Sequence, residues 1–192
     1  MDKILSSYNT TKTLKKYLEQ KYSFFNPNSV LSKFNNRSTN TPEIDVEFYN
    51  LLLLAEFYYK ITDGTFDVAT AGTINSIGTD ISYNEYEDIR KKIAPFASFN
   101  NINLHNQKVI LSNFSTKIDF GGLIKDMTSG HTLRYTTIDD KKISHIQSTQ
   151  QIHNNSNQQI SVTAPTTVDA GVWSTALLIN PQLVLPKHIH IV

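Results

Sequence analysis

The sequence predicts an α+β fold in a single domain, with helices early in the chain and a mostly antiparallel sheet late. Three observations carry this. Apolar residues recur at helical spacing up to about residue 93, and from residue 102 the period shortens to that of strands. The 192 residues are 39% hydrophobic, enough for one sizeable core, and no repeat or linker divides residues 1–192.

Residues 11–22 place Leu14, Leu18 and Tyr22 on one helical face, with Lys15, Lys16 and Glu19 opposite. A loop rich in Asn and Ser follows over 23–42. Thr41 is expected to cap a second helix with Pro42 in its first turn, running through Phe48, Leu51, Leu52 and Ala55 to end near Gly64. Ser82 and Glu85 form a capping-box pattern for a third helix, with Tyr86, Ile89 and Ile93 on one face and a stop at Pro95. A hairpin over Ile102–Leu111 turns at Asn106-Gln107, followed by a strand at Lys117–Phe120 and another near Leu133–Thr137. A turn at Asp139-Asp140 leads into a strand over Lys142–Gln147, and residues 148–159 are a polar run. Ile160–Thr163 is a further strand, Thr167 caps a helix through Leu178, and Leu183–Val192 is a last apolar segment broken by Pro186.

Composition excludes several classes of function. A formal net charge of +1 with 18% charged residues gives no electrostatic case for nucleic acid as a partner. With no cysteine there are no disulfides, thiolate metal ligands or cysteine nucleophile. No apolar run is long enough for a signal core or a membrane span, so a cytoplasmic location is expected if Met1 is the natural start.

The densest chemistry lies in Lys117–Gly130, KIDFGGLIKDMTSG. A half-buried strand leads into Gly121-Gly122, where backbone can approach a ligand without Cβ obstruction, and a helical turn opening at Leu123 would aim amides at the same place. Lys125 supplies a point charge, and Thr128-Ser129-Gly130 adds two hydroxyls and a flexible position. Phosphate suits this set, although a glycine turn between two ordinary elements is the simpler reading of the segment alone.

Several collinear segments resemble the FAD:protein FMN transferase family, also called ApbE-like or thiamine-biosynthesis-lipoprotein-like proteins. Phe25–Asn35 is similar to its early serine-rich element ending in Asn, and Thr62-Asp63-Gly64-Thr65-Phe66-Asp67 to its Thr-Asp-Gly-Ala-Phe-Asp motif. Asp119–Lys125 matches its strand, paired glycines and lysine; Thr128-Ser129-Gly130 with Arg134, Ser144-His145-Ile146 and Trp173–Leu177 follow in order. The resemblance implies a T-fold-related α+β core that binds FAD and Mg²⁺, cleaves the pyrophosphate and transfers FMN to a Thr or Ser hydroxyl of an acceptor protein. The alternative is a catalytically inactive relative serving as a flavin-binding, nucleotide-binding or protein-interaction module.

Carried over to this chain, the resemblance implies His145 and Lys125 as catalytic residues. It places Phe66, Asp67, Gly121, Gly122, Lys125, Thr128, Ser129 and His145 at the FAD site. The Ile124 carbonyl, Asp169 and Thr175 are the implied Mg²⁺ ligands, a hard oxygen set. Phe66 and Asp67 equally suit a helix stop at Gly64 with Phe66 in the core. For Asp169 the simpler reading is the positive end of a helix, because the family's aspartate stands four residues before the threonine, where this chain has Gly171. His188 and His190 share one strand face as a further metal candidate, against a plain strand edge, and Trp173 is assigned to the core. Only Asp126 and Met127 separate Lys125 from Thr128, where the family has a long segment with a Gly-Gly-Asn turn, so the resemblance leads to the expectation that a central segment, the usual first strand and the secretion signal are lacking.

Overall fold

In a computed structural model, the described residues are 13–77, 92, 96–128, 137–138, 141–147 and 159–191. They form, in order, α1 (13–21), α2 (Val30–Asn35), α3 (Val46–Ile61), α4 (Val68–Ile77), a 3₁₀ turn (Phe99–Asn101), β1 (Ile102–His105), β2 (Lys108–Leu111), α5 (Gly121–Thr128), β3 (Thr137–Ile138), β4 (Lys141–Gln147), β5 (Gln159–Ala164), α6 (Thr167–Ile179) and β6 (His190–Ile191). The helices-then-strands order matches the α+β expectation.

The hairpin β1–β2 forms its own antiparallel pair, with Asn106 (φ 48°) and Gln107 (φ 60°) both left-handed at its two-residue turn. The other sheet runs β3-β4-β5-β6 and is antiparallel throughout. Pairing of Thr137 with Lys142 and Ile138 with Lys141 leaves 139–140 as the connection, as the sequence suggests, though those two residues lie outside the described set.

Two cores meet at α6. Leu52, Phe48, Phe120, Ile118 and Leu123 belong to the first, between the helices and the hairpin; Val162, Ala164, Trp173 and Leu177 belong to the second, against the sheet. α6 sends Val172 and Ala176 into one and Ala170 and Trp173 into the other, so it is apolar nearly all round. Trp173 is in the core, as assigned, with its Nε1 buried and lacking a hydrogen-bond partner.

Several local expectations are corrected. α1 buries Leu18 and Tyr22 but leaves Leu14 about half exposed. The helix docks through its end, where Lys21 Nζ reaches Asp45 (2.7 Å) and Glu47 (2.9 Å) on α3. The cap of α3 is Asp45 rather than Thr41, its carboxylate accepting the Phe48 N–H at 2.7 Å. The Lys21 ammonium and that amide hold the Asp45 carboxyl below its usual range. The expected end of α3 is found, with the Gly64 N–H donating to Tyr59 O and Gly64 left-handed at φ 71°.

The polar 23–42 segment contains α2, capped by Ser29, and α4 stands where no helix is expected. Thr166 rather than Thr167 caps α6, its hydroxyl accepting the Asp169 N–H. Lys117–Phe120 is extended but pairs with no strand, because its partners are a side chain and a helix-entry carbonyl rather than a ladder. Gly121-Gly122 is the first turn of α5 instead of a separate turn before Leu123, and neither glycine is left-handed. The last apolar segment contributes only the two-residue β6 to the sheet. The expected third helix falls on residues outside the described set, apart from a helical Lys92.

Candidate functional site

A cleft of about 260 Å³ opens between the end of α1 and the start of α5. One wall is Glu19, Tyr22, Ser23, Phe24 and Phe25; the other is Asp119, Gly121, Ile124 and Lys125. Phe25 is 76% exposed and its ring meets that of Phe24 edge-on at 5.5 Å, so the aromatic wall has an open face.

The aromatic wall is fixed by the serine-rich element. Ser29 Oγ donates to Ser23 O at 2.6 Å, and Ser32 Oγ donates to Phe24 O at 3.1 Å, so the loop before α2 is drawn onto its first turn. Tyr22 is anchored below by its hydroxyl donating to Glu47 at 2.6 Å, and burial with that carboxylate raises the phenol above its ordinary range.

The opposite wall begins at Asp119, whose Oδ1 accepts the Gly121 N–H at 2.9 Å in an Asx-type turn that leads into α5. Ile124 N–H makes the first intrahelical bond, to Phe120 O, so the amides of Gly122 and Leu123 have no carbonyl within the helix to donate to. Lys125 lies four residues after Gly121, on the same helical side, and is exposed.

The structure therefore brings Gly121, Ile124 and Lys125 to one cleft, with Gly122 beside Gly121 at the helix start. Gly122 sits over Phe66, since a Cβ there would lie 3.9 Å from the Phe66 ring. Phe66 itself is buried in the first core against Tyr58. Asp67 spends its carboxylate on backbone: Oδ1 accepts the amides of Ala69 (2.8 Å) and Thr70, and Oδ2 accepts that of Phe99 (3.1 Å). Burial pushes its carboxyl up despite those bonds. Thr128 ends α5, Ser129 lies outside the described residues, and His145 sits on β4 opposite Ser161.

Two of the three expected Mg²⁺ ligands, Asp169 and Thr175, are otherwise engaged. Asp169 accepts the Tyr58 hydroxyl on Oδ1 (2.9 Å) and the Thr166 hydroxyl on Oδ2 (2.6 Å), which makes it a helix-start anchor between α3 and α6. Thr175 Oγ1 donates back to Gly171 O at 2.9 Å, and Gly171 supplies no carboxylate at the position four residues earlier. Ile124 O belongs to a residue inside α5. Among the described residues no group of three or more His, Asp or Glu side chains could hold a metal. This donor set does not fit Mg²⁺, which favours near-ideal octahedral oxygen coordination with at least one available carboxylate.

Sequence reasoning found the glycine–lysine wall and the Phe25 motif but missed Glu19, Tyr22 and Phe24 as cleft residues. Tyr22 was legible only as an apolar helix position, because nothing local shows that the same ring faces both core and cleft.

Comparison with known proteins identifies the family and the fold. The sequence pattern described as "ApbE family" matches residues 5–127, ending inside α5. No curated protein matches the chain. The ApbE protein of Thermotoga maritima superposes with a TM-score of 0.68 at 15% identity, over 90% of this chain and 78% of that one. The flavin transferase ApbE of Vibrio cholerae gives 0.65 at 11% identity, over 93% and 79%. The flavinyl transferase ApbE of Pseudomonas stutzeri gives 0.65 at 12%, over 93% and 77%. With the family pattern spanning well over half of its length and the fold shared with these structures, the chain belongs to the ApbE family.

Proposed function

We propose that this chain is a flavin transferase that takes FAD and passes FMN to a Ser or Thr hydroxyl of an acceptor protein. The observation that carries the reading is the cleft itself: an open aromatic wall at Phe24 and Phe25 facing a glycine-opened helix start with Lys125. Aromatic rings suit a stacked flavin or adenine, while helix-start amides and an ammonium suit a pyrophosphate. Membership of the family and the names of its solved structures support the same reading.

In the proposed reaction Lys125 and the amides of Gly122 and Leu123 hold the pyrophosphate oxygens, countering charge that grows as the P–O–P bridge breaks. His145 takes the proton of the acceptor hydroxyl. That oxygen attacks the FMN phosphorus, the bridging bond breaks, and AMP leaves with the bridging oxygen. Holding both reactants in one cleft supplies most of the orientation. Since the described donors do not fit Mg²⁺, no step here runs through a metal.

A second reading, a relative that binds flavin without transferring it, is favoured by one observation: Gly171 stands at the family's carboxylate position and Asp169 is held by Tyr58 and Thr166. Incubating the purified protein with FAD and a Thr-containing acceptor separates the two. Transfer predicts an FMN-sized mass gain on the acceptor with equimolar AMP. Flavin fluorescence quenching with neither product supports the second reading, and no quenching contradicts both.

A further inference from the structure

From the hydrogen bonding of Asn35 we infer that this residue is a positioning residue for the cleft: its amide sets the place of the Asp119–Gly122 wall. The inference rests on the flavin reading for its functional consequence, and on geometry for the rest. Asn35 Oδ1 accepts the Ile118 N–H at 2.9 Å, and its Nδ2 donates to Ile118 O at 2.8 Å, so one side chain satisfies both backbone groups of a residue 83 positions away. Ile118 is fully buried, where an unpaired amide or carbonyl is costly. The next residue is held from another direction, Asp119 N–H donating to Val68 O at 2.9 Å at the start of α4. An extended segment with no strand beside it is thereby held at two successive residues. Asp119, which accepts the first amide of α5 and lines the cleft, is the residue being placed.

The same six-residue α2 holds the other wall. Its first turn binds the carbonyls of Ser23 and Phe24 through Ser29 and Ser32, and its last residue binds Ile118. α2 is thus a bracket between the aromatic wall and the phosphate wall, and Asn35 is the end that touches the second.

The test compares Asn35→Ala, Asn35→Asp and Val109→Ala, a core change in β2 away from the cleft that serves as a control for lost stability. Each is titrated with FAD by flavin fluorescence well below its Tm, and the amide exchange of residues 118–122 is followed without ligand. The expected result is FAD binding weakened roughly tenfold or more in Asn35→Ala, with faster exchange at 118–122, and neither change in the control.

Asn35→Asp supplies the readout that a merely structural role would not move. Ionised, it accepts the Ile118 N–H but opposes Ile118 O; protonated, it again offers one donor and one acceptor. Its affinity, taken as a ratio to wild type at each pH, should recover as the pH falls into the carboxyl range. The charged and titratable groups around the segment, Glu19, Arg37, Asp67, Lys117, Asp119 and Lys125, are common to the variant and wild type, so the ratio removes what they share. Equal affinity and exchange in Asn35→Ala and wild type, or a pH-flat Asn35→Asp ratio, overturns the inference. If wild type binds no FAD, the flavin reading fails, and the exchange data alone decide the positioning role: faster exchange confined to Asn35→Ala supports it, and unchanged exchange overturns it.

Discussion

Gly72 in α4 and Asp67 just before it show how single positions hold the site in place from behind. A Cβ at Gly72 would stand 2.5–2.6 Å from the backbone of Ile118, so α4 crosses the cleft segment at glycine distance. Gly72→Ala, neutral or helpful in an ordinary helix, should here cost about 3 kcal/mol, read from denaturant unfolding; an unchanged midpoint would contradict the close approach. Asp67 is the buried carboxylate whose folded pKa is raised. The sign follows: its contribution is greatest when protonated, and stability declines as pH rises from the ordinary carboxyl range through the raised value. In Asp67→Ala that part of the slope should vanish, while loss of two amide bonds at the start of α4 and one to Phe99 costs about 1–2 kcal/mol. Asp45, with its carboxyl held low, acts oppositely and loses its contribution as pH falls. Mg²⁺ also belongs at this scale. With Asp169 and Thr175 engaged as they are, Mg²⁺ alone should leave the Tm unchanged, and a clear rise would restore the metal site that the resemblance implies.

The elements differ in how openly they are written in the sequence. The hairpin was legible in full, because alternation on both sides of Asn106-Gln107 leaves one register, and the strained left-handed Gln107 offers a check. Gln107→Gly should stabilise the protein by about 1 kcal/mol, measured by thermal unfolding; a loss would contradict the two-residue turn. α2 was hidden by its own composition. Its serines and asparagines suggest a loop, yet Ser29 caps the helix and Ser32 and Asn35 serve backbone elsewhere, so the polar residues are tertiary contacts. Lys117–Phe120 misled for the complementary reason: alternation reports burial on one side, and cannot tell a strand partner from an asparagine amide. At α3 and α6 the caps fell at Asp45 and Thr166, displaced from the expected positions by an ion pair to Lys21 and by the Asp169 carboxylate.

At the scale of the molecule, the end of α1 with the loop after it and the start of α5 form the cleft, α2 holds both walls, and α6 packs against α5. The first core supports the aromatic rows of Tyr22, Phe48 and Phe120, packed edge-on at 5.3–5.9 Å, directly beneath the cleft floor at Tyr22. The family could be recognised from collinear motifs, and the fold from the order of its periods, but the cleft could not. It is built from residues about a hundred positions apart, and of its aromatic side only Phe25 falls within a motif, while Tyr22 and Phe24 stand in a helix end and a loop outside it. Among the described residues no helix is long and apolar enough to cross a membrane. The account stands or falls on flavin in this cleft. Titration of wild type and Lys125→Ala with FAD, followed by flavin fluorescence, should give saturable quenching in wild type and binding weakened roughly tenfold in the variant. Quenching of equal strength in both, or none at saturating protein, would contradict it.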